Sequence, residues 1–228
     1  VVTRVPTWRG PATDDDQCVE LGDIGWKGYS LILRLRGDRP SPRIIYLDGS
    51  ALLMSPSLPH EHLKERLGRF VSEVATGLRL PFRPVGQTTF RRRARRGGLE
   101  SDHAYYIQNE ALVRGKDRID LRIDPAPDLA IEVVHTHDAT AALEVYRRLR
   151  VAEVWICDRT ELQILLRQKN GRYARSKASA AFPFLAAGEV LDWVQQPQDV
   201  SEMEWQNEVR DWVRDVLTLR LQKPQGGG

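Results

Sequence analysis

The sequence predicts a single α/β domain with less regular ends. Short apolar runs of strand length, bounded by Gly, Pro or Asp-Gly and Asn-Gly pairs, alternate with longer stretches whose apolar residues recur at helical spacing. At 228 residues the chain has room for one domain with a proper core. A division follows: an irregular arm over 1–23, the domain over 24–195, and a helix with a frayed tail over 196–228.

Composition narrows the class. With 41% hydrophobic and 29% charged residues, neither disorder nor a membrane protein is indicated. No apolar run approaches a membrane span, and the first residues lack the basic-then-apolar pattern of a signal peptide. Cys18 and Cys157 lie far apart without metal-ligand spacing, which suits a reducing compartment, so a cytoplasmic protein is expected. A net charge of +3 and a pI near 9.0 permit nucleic acid without requiring it.

Taken in order, residues 1–23 hold Pro6, Gly10, Pro11 and the run Asp14-Asp15-Asp16, with no apolar period. Residues 24–36 read as a short helix ending at Gly37. Arg43 to Leu47 and Ala51 to Met54 read as strands joined at Asp48-Gly49, both residues tolerating positive φ. After Ser55-Pro56-Ser57-Leu58-Pro59 comes a long helix with Leu63, Leu67, Phe70, Val71, Val74 and Ala75 on its stripe. Its first turn holds His60-Glu61-His62. Residues two apart diverge on a helix, so joint metal ligation by the two histidines is disfavoured against a supporting or phosphate-facing role, or a solvated helix start.

Residues 84–107 read as a strand, a tight turn at Gly97-Gly98 and a return strand. The outgoing limb carries Arg91, Arg92, Arg93, Arg95 and Arg96, whose guanidinium forks suit phosphate; a charged edge hairpin that resists aggregation is the plainer reading. Gln108 to Pro127 is a polar connection whose Gly115-Lys116 is not a phosphate loop. A strand ends before His135-Thr136-His137-Asp138, and Asp138 or Thr140 would cap a helix with Ala142, Leu143, Tyr146 and Leu149 inside. The His135/His137 pair could bind metal on one strand face, but if the strand continues regularly that face is opposite Glu132. Glu153 to Asp158 is a strand, and residues 162–176 form a hairpin about Asn170-Gly171. The tail helix opens with a capping box, Ser201 to Glu204, and carries Trp205, Val209, Trp212, Val213, Val216 and Leu217 on one stripe. Two tryptophans need cover, either from the domain itself or, as the expectation favours, from a second subunit.

The chemistry concentrates between Gly98 and Val134. Glu100-Ser101-Asp102 precedes the strand-like Tyr105-Tyr106-Ile107, and Pro127-Asp128-Leu129-Ala130-Ile131-Glu132-Val133 carries a carboxylate inside an apolar strand. Burying such a group is costly without a partner. If the strands are neighbours, Asp102 and Glu132 could share a hard cation such as Mg²⁺. Alternatively, Asp128 caps the strand start and Glu132 meets a buried arginine. Asp128 and Glu132 lie roughly 13 Å apart along the strand and cannot hold one ion alone.

The order of parts, namely the hairpin, Met54-Ser55-Pro56-Ser57, the His60-Glu61 helix, Glu100-Ser101-Asp102, Pro127 to Val133, and Tyr146 followed by Val151-x-Glu153-Val154-Trp155, resembles the Uma-type restriction-endonuclease family, a branch of the PD-(D/E)XK nuclease superfamily. The resemblance covers about residues 24–195. It implies a restriction-endonuclease-like core with a central mixed sheet flanked by helices, Mg²⁺- or Mn²⁺-dependent hydrolysis of DNA, and commonly a homodimer. By position it implies that Asp102 and Glu132 bind the metal, with Glu100 and Glu61 as further acidic or polar site groups; His60, in the first turn of the long helix, is a candidate site residue from its place in the sequence.

Departures accompany the matches. The superfamily lysine is absent from both its slots, which hold Val134 and Ala142, and Ser101 stands where proline is usual. Arg147 or His60 are the candidate substitutes, although arginine cannot deprotonate water at neutral pH. Three functions are therefore expected in competition. They are a Mg²⁺-dependent endonuclease, a nuclease-fold protein that binds DNA or a partner without cutting, and a hydrolase of a smaller phosphodiester.

Overall fold

Asp48 and Gly49 sit at positive φ, 51° and 113°, and turn the chain between β2 (Arg43–Leu47) and β3 (Ser50–Ser55), as the Asp-Gly pair predicts. The computed structural model describes residues 15–86, 88–135, 139–196 and 199–222. In it this hairpin pairs on one side with β1 (Gln17–Leu21) and on the other with β6 (Gly97–Glu100), which pairs in turn with β5 (Thr89–Arg92). The result is a five-stranded antiparallel sheet, β1-β3-β2-β6-β5.

The second sheet is six-stranded and mixed. It is built from β4 (Arg83–Pro84), β7 (His103–Tyr106), β8 (Leu129–Val133), β9 (Glu153–Cys157), β10 (Leu162–Arg167) and β11 (Tyr173–Ser176), in the order β11-β10-β9-β8-β7-β4. Only β8 and β9 run parallel, and the helix between them, α4 (Thr140–Leu149), supplies the crossover that a parallel pair needs.

Helices cover both sheets. α1 (Gly25–Arg36) lies on the first, where Tyr29 stacks on Tyr46 at 4.7 Å beside Ile44 and Ala51. α2 (Leu58–Gly77) covers one face of the second, burying Leu67, Phe70, Val71 and Val74 against Leu129, Ile131 and Val133. α4 fills the space on the other face, where Ala142, Val145 and Tyr146 meet Ile45 and Leu99 of the first sheet and Ala130 and Val154 of the second. The period of two in β8 thus holds: Ala130 and Glu132 look towards α4, their neighbours towards α2. α3 (Glu110–Val113) is one turn in the polar connection, and α5 (Ala187–Val194), which periodicity did not reveal, joins the α2 side.

Three expectations are corrected. Part of the arm is ordered, because Gln17–Leu21 pairs along β3; an exposed edge strand shows no alternation to read. Residues 1–14 lie outside the described residues. The turn expected at Gly97-Gly98 falls instead at Arg93–Arg95, with Arg96 left-handed at φ 48°, and both glycines are buried in β6. Gly98 is there for close approach, since a Cβ on it would come within 2.5 Å of the Tyr29 hydroxyl.

The tail helix, third, packs on its own domain rather than offering its tryptophans to a second subunit. α6 (Glu202–Trp212) continues through a π turn at Val213–Leu217 into α7 (Thr218–Gln222). Trp205, Val209, Val213 and Leu217, spaced by four, are buried against the α2 side of the core. The wider π turn keeps that four-residue stripe in line, and leaves Val216 exposed.

Candidate active site

The chain crosses from the first sheet to the second between Glu100 at the end of β6 and His103 at the start of β7. His103 pairs with Ile131, so one further step of the same register sets Asp102 opposite Glu132. The two carboxylates that the sequence singled out are therefore neighbours, and both are buried.

A guanidinium lies between them. Arg43, the first residue of β2, donates from Nη1 to Asp102 Oδ1 at 2.5 Å and from Nη2 to Glu132 Oε2 at 3.3 Å, and Nη2 also reaches the Glu100 carbonyl at 2.9 Å. The remaining carboxylate oxygens are occupied too. Asp102 Oδ2 accepts from the Val133 amide at 2.8 Å, and Glu132 Oε1 accepts from the Tyr146 hydroxyl of α4. His60 joins from the first turn of α2, its Nε2 3.1 Å from Asp102 Oδ1 and its Nδ1 3.0 Å from Asp16 Oδ2. Asp16 also accepts from the Ser57 amide at the start of α2, which fixes the helix that presents His60.

Charge in this network is strongly perturbed. Burial alone would push the Asp102 carboxyl up, but Arg43, His60 and the Val133 amide hold it well below the usual range. Burial dominates at Glu132, raising it despite Arg43, with the Asp102 charge adding to the rise. Burial lowers His60, yet hydrogen bonds to Asp102 and Asp16 and their charges overcome this and raise it to about 9. With a carboxylate on each nitrogen, the ring is an imidazolium.

The other expected site groups are placed differently. The Glu100 carboxylate turns away from Asp102 and is held by Arg36 at 2.5 and 2.7 Å, Thr89 at 2.7 Å and the Ile44 amide at 3.3 Å. Glu61 pairs with Lys64 on its own helix. Ala142 is buried beside Tyr146, Val134 carries its amide to the Cys157 carbonyl, and Arg147, one candidate substitute cation, faces outward onto Glu144. His62 diverges from His60 as its spacing requires, towards Arg66 and Glu202. His137 and Asp138 lie outside the described residues. Of the arginine run, Arg91, Arg93 and Arg96 are exposed and Arg92 and Arg95 half-buried; Arg96 pairs with Asp48 at 3.3 Å. Arg91, Arg92 and Arg93 line an open cleft with Asp120 and Arg122. Asp128 accepts from the amides of Ile107 and Asn109 at the strand start, and Glu132 meets a buried arginine. That was the alternative to a shared cation. The sequence did not single out Arg43, Asp16 or Arg36, and their only signal is an ionic residue at the margin of an apolar or irregular stretch.

The sequence model of the Uma2 family, described as "Putative restriction endonuclease", matches residues 29–200. The chain belongs to this family. A crystal structure of "a putative nuclease belonging to DUF820" from Anabaena variabilis is similar at 14% identity, covering 67% of this chain and 92% of that one, with a TM-score of 0.48. No curated protein matches.

Restriction-endonuclease-like families generally use divalent metals, and Asp102 and Glu132, to which the sequence resemblance assigns one, are the place to test for it. As folded, it does not fit. Every oxygen of Asp102 and Glu132 already has a donor, and the cation between them is Arg43. Among the described residues, no three His, Cys, Asp or Glu side chains are grouped to hold an ion.

Proposed function

We propose that this Uma2 protein binds DNA through its arginine-rich hairpin and is impaired in cleaving it. The observation that carries the second half is Ala142. In the slot where the resemblance places the lysine stands a methyl group, 2% exposed and packed beside Tyr146 and Val145, with no amine to orient water or steady a phosphate. The neighbouring polar groups offer no replacement. His60 is held between Asp16 and Asp102, Arg43 between Asp102 and Glu132, and the Tyr146 hydroxyl is committed to Glu132, so none is turned out towards a substrate phosphate. Losing a single preorganised donor to transition-state charge costs roughly two to three orders of magnitude in rate.

DNA binding is supported by Arg91, Arg92 and Arg93 around their cleft and by Arg118 and Arg122 on the facing loop. Fluorescence anisotropy with a labelled duplex tests it. Affinity is expected to fall steeply with salt, and Arg91→Ala with Arg93→Ala to flatten the log–log slope by about 0.9 for each phosphate that is no longer neutralised. No binding at low salt would sink the reading, and so would salt-independent binding.

A second reading is a Mg²⁺- or Mn²⁺-dependent endonuclease, favoured by the facing of Asp102 and Glu132 across β7 and β8. Nicking of supercoiled plasmid decides between the two. Metal-dependent nicking lost in Asp102→Asn would establish the endonuclease, whereas nicking absent from wild type and gained only with Ala142→Lys, alone or together with Arg43→Ala, would establish the impaired site. The proposal extends to a cytoplasmic homodimer, in keeping with two free cysteines, but with an interface other than the tail tryptophans; sedimentation equilibrium measures it.

A further inference from the structure

We infer that Arg43 is this chain's permanent substitute for a divalent cation, so that the acid pair is metal-free in the native protein and becomes a metal site only when Arg43 is shortened. The inference rests on Asp102 and Glu132 being the family's acid pair, and not on DNA binding.

Position comes first. The two ends of the guanidinium fork reach one carboxylate each, at 2.5 and 3.3 Å, which is the bridging place a shared ion would take. Anchorage comes second. Arg43 opens a strand whose residues pair with β3, its side chain is 3% exposed, and Nη2 is tied to the main-chain oxygen of Glu100. It is not a surface arginine that swings aside. Third, the ligands an ion would recruit are spent: Glu100 is turned onto Arg36, Thr89 and the Ile44 amide, and the free lobes of the pair are filled by the Val133 amide, Tyr146 and His60. Fourth, the buried pair already holds a cation, and a divalent ion added beside the Arg43 guanidinium would meet like charge where little water screens it.

Titration of chelator-treated full chain with Mn²⁺, followed by electron paramagnetic resonance, tests this with no DNA present. Wild type is expected to show no Mn²⁺ site that depends on Asp102. Arg43→Ala and the uncharged, long-stemmed Arg43→Gln are expected to bind one Mn²⁺ per chain at least 100-fold more tightly than wild type, and to lose it when Asp102→Asn is added. Melting temperature should rise with Mn²⁺ in the Arg43 variants alone. Should either variant fold only when Mn²⁺ is present, the ion has replaced the guanidinium and the inference stands. One Mn²⁺ in wild type abolished by Asp102→Asn would overturn it. So would folded variants binding no more than wild type, or failure of both variants to fold even with Mn²⁺.

Discussion

His60 has a carboxylate on each ring nitrogen, Asp16 on one side and Asp102 on the other, and this sets a pH dependence. Its folded pKa, raised to about 9, lies above the ordinary value near 6.5. The folded state therefore binds the proton more tightly, and the resulting stability, on the order of 3 kcal/mol, is fully present below pH 6.5 and lost as pH rises through 9. Glu132, also raised, acts in the same sense from lower pH, because ionising it in the fold costs more than in the unfolded chain. Melting temperature is thus expected to fall from pH 6.5 to 9, with a shallower fall in His60→Gln. Asp102→Asn, which strips charge from between Arg43 and His60, should cost about 3–5 kcal/mol in urea denaturation. Glu132 was legible in sequence because a carboxylate inside an apolar strand demands a partner, and Asp102 because it stands at the entrance of a second strand-like segment where the family resemblance places an acid. The partner's identity was not: Arg43 reaches across 59 and 89 residues to its two acids, and nothing local marks it.

At the scale of elements, what was legible followed a rule with short range. The Asp48-Gly49 and Asn170-Gly171 hairpins, the α2 stripe and the Ser201 capping box are each set by neighbours within a few residues. β1 was illegible because both its faces are largely exposed, and the arginine turn because Gly97 and Gly98 serve packing rather than chain reversal. Two substitutions check these accounts. Ser201→Ala removes the side-chain half of the capping box, leaving the residue's own amide on Glu204, and should cost about 1 kcal/mol. Gly98→Ala forces a methyl group against Tyr29 and Arg91 and should cost about 1–3 kcal/mol, with Tyr29→Phe/Gly98→Ala recovering part of it. Both are read as shifts in denaturation midpoint.

Across the whole molecule, the acid network sits where two sheets, α2 and α4 converge, so the residues that could perform chemistry are also those that hold the layers together. The tail helix closes the opposite side of α2. Arg66 lies 5.1 Å over the Trp205 ring and pairs with Glu202 at 3.0 Å, while Arg210 pairs with Glu73 at 2.8 Å. Trp205→Ala should therefore cost about 3–5 kcal/mol and bare the apolar face of α2, read as dye binding at temperatures where wild type binds none. The same docking places Trp212 of the tail against Trp193 of α5, with ring centroids 5.5 Å apart and planes tilted by 52°. Two indoles held that close at an oblique angle share their excited states, so the native protein should show a split circular-dichroism band that neither tryptophan gives alone. The tail thereby carries its own optical signature, and heating would reveal by that band alone whether it undocks ahead of the sheets or melts with them.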